Sequence, residues 1–87
     1  MQKKYMILWK PEQKPDDKYI SLIPEEIKAA QALKDKGKIL EDWIALDRSK
    51  GWILMRAESE SEIVEDLKTL PLYGFLTIEI TELFNPD

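Results

Sequence analysis

LPLYGFLTIEITEL, residues Leu70 to Leu83, runs a helix stop, a reversal and a strand together without a spacer. Pro71 cannot continue a helix, because it lacks an N–H and its ring clashes with the preceding turn. Gly74 permits a tight reversal, and Leu72, Tyr73 and Phe75 are apolar enough to plug the end of a sheet. Leu76, Ile78 and Ile80 then alternate with Thr77, Glu79 and Thr81, the period of a half-buried strand.

Upstream, Ile63, Val64, Leu67 and Leu70 recur at helical spacing behind Ser59-Glu60-Ser61-Glu62, a capping-box pattern. WILMRA (52–57) and ILEDWIAL (39–46) flank the polar stretch Asp47-Arg48-Ser49-Lys50-Gly51 and predict a hairpin. A helix is expected from Pro24, favoured in a first turn, to Gly37, a left-handed stop, with Ile27, Ala29, Ala30 and Leu33 as its buried stripe. YMILW (5–9) is a short apolar strand ended by Pro11. Residues 11–23 are expected to form a loop over a pocket: Pro11 and Pro15 oppose regular pairing, and Tyr19, Ile20, Leu22 and Ile23 need something to dock on.

The order strand, helix, strand, strand, helix, strand predicts one α+β, ferredoxin-like βαββαβ domain over residues 1–87, with an antiparallel sheet in the order 4-1-3-2. Both helices then cover one face. The other face is expected to present Tyr5, Ile7 and Trp9 from the first strand, Trp52, Leu54 and Arg56 from the third, and Thr77 and Glu79 from the fourth. For the second strand either Glu41, Trp43 and Ala45 or Leu40, Asp42, Ile44 and Leu46 share that face. So much apolar surface on a chain of 87 residues predicts at least a homodimer through the open sheet.

LKTLPLYGFLTIEITEL (67–83), together with KYMILWKPE (4–12) and the Gly37 helix end, resembles the muconolactone isomerase-like family. The resemblance implies a dimeric α/β barrel in which two open sheet faces stack, often in larger rings. It also implies proton-shifting isomerisation of an unsaturated lactone or carboxylic acid without a cofactor. It favours Glu41, Trp43 and Ala45 as the open-face set of the second strand. One departure matters. The family's isomerases carry histidine in the middle strands, whereas this chain has none, so proton transfer would fall to carboxylates, lysine or tyrosine.

The candidate catalytic residues are therefore Glu79 and Glu41, carboxylates on a face that a second subunit would desolvate. Candidate substrate-binding residues are Tyr5, Ile7, Trp9, Trp43, Leu54 and Arg56, the last able to clamp a carboxylate with its planar fork. Each has a structural alternative. Glu79 and Arg56 could be an interfacial ion pair, and the tryptophans could simply fill core and interface. A non-catalytic binding or assembly module of the same fold is the competing function.

Absences narrow the chemistry further. With no Cys and no His, thiolate nucleophiles, disulfides, Cys/His zinc sites and histidine bases are excluded. Asp16–Asp17 and Glu58, Glu60 and Glu62 match loop and helix-start positions, so no metal is expected. A net charge of −4 with scattered lysines speaks against nucleic acid. No apolar run reaches the ~18 residues of a membrane span, and Lys3–Lys4 lacks the apolar segment of a signal peptide, so a cytoplasmic protein is expected.

Overall fold

In the computed structural model, which describes residues 2–84, β1 (Lys3–Pro11) is followed by α1 (Asp17–Asp35), β2 (Ile39–Ile44), β3 (Gly51–Ala57), α2 (Glu60–Leu67) and β4 (Leu76–Leu83). A 3-10 turn at Tyr73–Phe75 joins α2 to β4. The sheet is antiparallel in the order β2-β3-β1-β4, the expected 4-1-3-2 seen from its other edge. Tyr5, Ile7, Met55, Ile63 and Leu67 are its most buried large side chains, and Leu33 of α1 joins the same cluster, so both helices pack on one face. Each such side chain contributes roughly 1.5–3 kcal/mol through burial.

Three expectations are corrected. The segment 11–23 is mostly helix, because Asp16 caps α1: its Oδ1 accepts the Tyr19 N–H at 2.9 Å and its carbonyl accepts that of Ile20 at 3.0 Å. Pro24 lies inside this 19-residue helix, and only Glu12–Asp16 remains a loop. The apolar residues that seemed to need a dock are helical. The inward stripe shifts accordingly, to half-buried Tyr19, Leu22, Glu26, Ala29 and Ala30 and buried Leu33, while Ile27 is 64% exposed.

The faces of β1 are also the reverse of those expected. Tyr5 and Ile7 are 1% and 0% exposed beneath the helices, and Trp9 shares their side, its ring lying on Gly51 where a Cβ has no room. Met6 and Leu8 take the open face, opposite Leu54 and Trp52. An unbroken apolar run has no alternation to reveal its facing. Finally, Gly74 sits in the 3-10 turn without positive φ, whereas Gly37 does adopt the left-handed conformation at φ 76°.

α2 begins as the capping box predicts, with the Ser59 hydroxyl accepting the Glu62 N–H at 3.3 Å. The Glu62 carboxylate reaches back one residue further than the ideal pattern and takes the Glu58 N–H at 3.2 Å.

Candidate functional site

The open sheet face is built in rows set by the ladder. Glu41, Leu54, Met6 and Thr81 form one row, from β2 across to β4, and Trp43, Trp52, Leu8 and Glu79 the next. Arg56 and Lys4 lie opposite each other at one end, with Leu83 beyond them on β4. The result is an apolar floor of Met6, Leu8, Leu54 and Trp52 with a carboxylate strand position on each side. Trp43 is 46% exposed. At the far end the Lys50 ammonium stands 5.8 Å from the Trp52 ring centroid, within cation–π range.

The facing of β2 is set by the ladder, which pairs Glu41 with Leu54 and Trp43 with Trp52 on the open face. Asp42 falls on the helix side, where its Oδ1 meets Lys34 Nζ of α1 at 3.3 Å. A register shift between Ile39 and Glu41 marks a bulge at Leu40. Ala45 lies just past the strand, its N–H donated to the Lys50 carbonyl at 2.9 Å.

Arg56 does not reach toward Glu79. Its Nη2 donates to the Gly37 carbonyl at 3.0 Å, on the β2 side of β3, whereas Glu79 lies two strands away on β4. Among the described residues neither Glu79 nor Glu41 has an ion-pair partner.

A muconolactone delta-isomerase family profile matches residues 5–86. The chain belongs to that family. A crystal structure of muconolactone isomerase is similar, with a TM-score of 0.80 and 21% identity over 95% of this chain and 91% of that one. An uncharacterized protein from Thermotoga maritima is more distant, with a TM-score of 0.51 and 8% identity over 97% of this chain and all of that one. At these identities the likeness is one of fold. No curated protein matches the chain.

In this member of the muconolactone delta-isomerase family, the open face gathers Glu41, Trp43, Leu54, Arg56 and Glu79. Tyr5, Ile7 and Trp9 are on the opposite side. Met6 and Leu8 take their place on the open face, since an all-apolar run gives no alternation by which to choose between the two sets.

A concave region lies beside the segment expected to border a pocket, and the residue missed there is Glu26. A cleft of about 250 Å³ opens between the Glu12–Asp16 loop and the 3-10 turn, with Lys14, Tyr19 and Phe75 among its lining. Tyr19 and Phe75 meet edge to face, 5.9 Å between centroids. Behind them Glu26 Oε1 accepts the Leu72 N–H at 2.9 Å. Burial raises the Glu26 carboxyl above its ordinary range, the Leu72 bond partly opposing this, and burial together with the Glu26 charge raises the Tyr19 phenol. The signal was available in the sequence: Tyr19, Leu22 and Glu26 follow one helical stripe into Ala29, Ala30 and Leu33.

Among the described residues no cluster of three or more His, Cys, Asp or Glu could hold a metal, and no helix is long and apolar enough to cross a membrane.

Proposed function

We propose that the protein is a cofactor-free isomerase of a small unsaturated lactone or carboxylic acid, working as a homodimer whose open sheet faces stack. The observation that carries this reading is the open face itself, an apolar floor between Glu41 and Glu79 in which neither carboxylate is paired within the described chain. Stacking a second copy on that floor removes water from both carboxylates, the condition that makes a carboxylate basic enough to take a proton from carbon.

The chemistry needs only one mobile proton. A carboxylate, Glu79 or Glu41, removes it from the carbon beside the carbonyl, and the electron pair delocalises through the adjacent double bond as a dienolate. The same carboxyl group returns the proton at the far carbon, so the double bond moves and atoms and charge balance. Trp43, Trp52, Leu8 and Leu54 bind the flat apolar body, and Arg56 holds its charged end.

The test is Glu79→Gln and Glu41→Gln, each assayed with an unsaturated lactone acid and each run in the ultracentrifuge. For the proton carrier, turnover falls by about 10²-fold or more with the dimer intact. A dimer that weakens, with no turnover to lose in the parent, makes the face a non-catalytic assembly surface instead.

A further inference from the structure

Glu12 and Lys14 are opposite charges on the lining of one cleft, and among the described residues neither forms an ion pair, with the other or with any further group. The cleft between the Glu12–Asp16 loop and the 3-10 turn has a volume of about 250 Å³, and its walls are fixed by backbone contacts. The Glu12 N–H donates to the Phe75 carbonyl at 2.9 Å, which pins the loop to the turn. Asp16 is already engaged, its Oδ1 accepting the Tyr19 N–H at 2.9 Å as the cap of α1. Gly74 leaves the lining open, with no atom within 4 Å of where a Cβ would stand.

The apolar part of the lining is a corner. Tyr19 and Phe75 are both half-buried, and their rings meet at 84° with centroids 5.9 Å apart. Two rings at a right angle leave an inside corner where a third ring can stack on one and meet the other edge to face, the two arrangements that aromatic pairs prefer. Size sets a ceiling on the ligand. Pockets for drug-sized molecules run ~300–1,000 Å³, so this cleft takes something smaller, about one free amino acid.

We propose that this cleft binds a free aromatic amino acid as its zwitterion, with the ring in the Tyr19–Phe75 corner, the ammonium on Glu12 and the carboxylate on Lys14. A ligand with a single charge leaves either Glu12 or Lys14 unmatched, and an aromatic residue inside a polypeptide carries neither charge. Glu12 and Lys14 are exposed, so each pairing is worth only a few-fold in affinity and weakens with salt. None of the residues used by the isomerase reading lines this cleft, so the two readings stand or fall separately.

The full chain is titrated at neutral pH with L-phenylalanine, phenethylamine, phenylpropionate and N-acetyl-phenylalanine amide, followed by amide shifts in NMR. Phenylalanine is expected to move the Lys14, Tyr19, Gly74 and Phe75 amides and to bind about threefold or more tighter than either singly charged analogue. Lys14→Met is expected to weaken phenylalanine and phenylpropionate by about threefold and to leave phenethylamine unchanged. Glu12→Gln is expected to weaken phenylalanine and phenethylamine by the same factor and to leave phenylpropionate unchanged. Both side chains are exposed and free of ion pairs in the described chain, so both variants should melt with the parent.

No amide shift at about 10 mM phenylalanine, equal affinity for the three charged ligands, or variants that fail to cross in this way each overturns the proposal. Shifts confined to open-face amides such as Leu8 and Leu54 overturn it too, by placing the ligand on the sheet. N-acetyl-phenylalanine amide binding as tightly as phenylalanine also overturns it and assigns the cleft to an aromatic side chain of a polypeptide.

Discussion

The Glu26 carboxylate accepts the backbone N–H of Leu72 at 2.9 Å, joining the middle of α1 to the residue after Pro71. Leu72 is buried, so its N–H needs this acceptor, and the tight LPLY corner is supported from a helix far upstream.

That bond gives a first prediction. Glu26→Ala should cost about 1–2 kcal/mol through an unsatisfied Leu72 donor, whereas Glu26→Gln keeps an acceptor and sheds a desolvated charge. The sign with pH follows from the raised Glu26 value. The folded state binds this proton more tightly than the unfolded one, so the stability Glu26 gains by being neutral is present at acid pH. It is lost as pH climbs from the ordinary 4.5 through the raised value. Melts of parent and Gln variant should coincide in acid and separate toward neutrality, with Gln the more stable; the reverse order would contradict the assignment.

Gly37 and Gly74 should respond oppositely to alanine. Gly37→Ala meets both a left-handed φ and the Arg56 guanidinium, and is expected to cost about 1–2 kcal/mol. Gly74→Ala has open space and ordinary φ, so it should stay within about 0.5 kcal/mol of the parent. Urea titration of both variants measures the contrast.

Lys38 ties the start of β2 to α2, its Nζ lying 3.3 Å from Glu62 Oε2 and 3.5 Å from Asp66 Oδ2. Asp66 Oδ2 is buried and accepts no hydrogen bond from a described residue, so the ammonium is its compensation. Lys38→Met should therefore destabilise by about 1–3 kcal/mol. The hydrogen bond to Glu62 raises the Lys38 value, with lesser help from Asp66. The linked stability is complete below the ordinary 10.5 and is lost as pH rises through the higher folded value. An alkaline melting series that is unchanged in the variant would count against this role.

Leu54→Arg places a charge at the centre of the open face and is expected to shift sedimentation toward monomer, weakening association by about tenfold or more, with the melt of the monomer little changed. Ile27→Arg, on the exposed side of α1, is the control and should leave the open-face dimer intact. A parent protein that is monomeric at micromolar concentration would end the stacked-sheet reading.

The sequence by itself determined the order of elements, the strand order, the Ser59 cap, the Gly37 stop and the facing of β3 and β4. Each of these rests on local chemistry: a hydroxyl near free N–H groups, a residue without Cβ, an alternation of period two. The tertiary structure alone decided which side of YMILW is buried, because five apolar residues in a row carry no period, and only the ladder pairing Ile7 with Ile53 and Ile80 chooses. It also decided the facing of β2, where the ladder sets Glu41 beside Leu54 and Trp43 beside Trp52 and leaves Asp42 on the helix side near Lys34, whereas the Asp16 cap that starts α1 before Pro24 is a local contact open to the sequence. Arg56 bonds to Gly37 and not to Glu79 for the same kind of reason. A side chain's partner is fixed by what the fold brings beside it, over separations that local sequence does not encode.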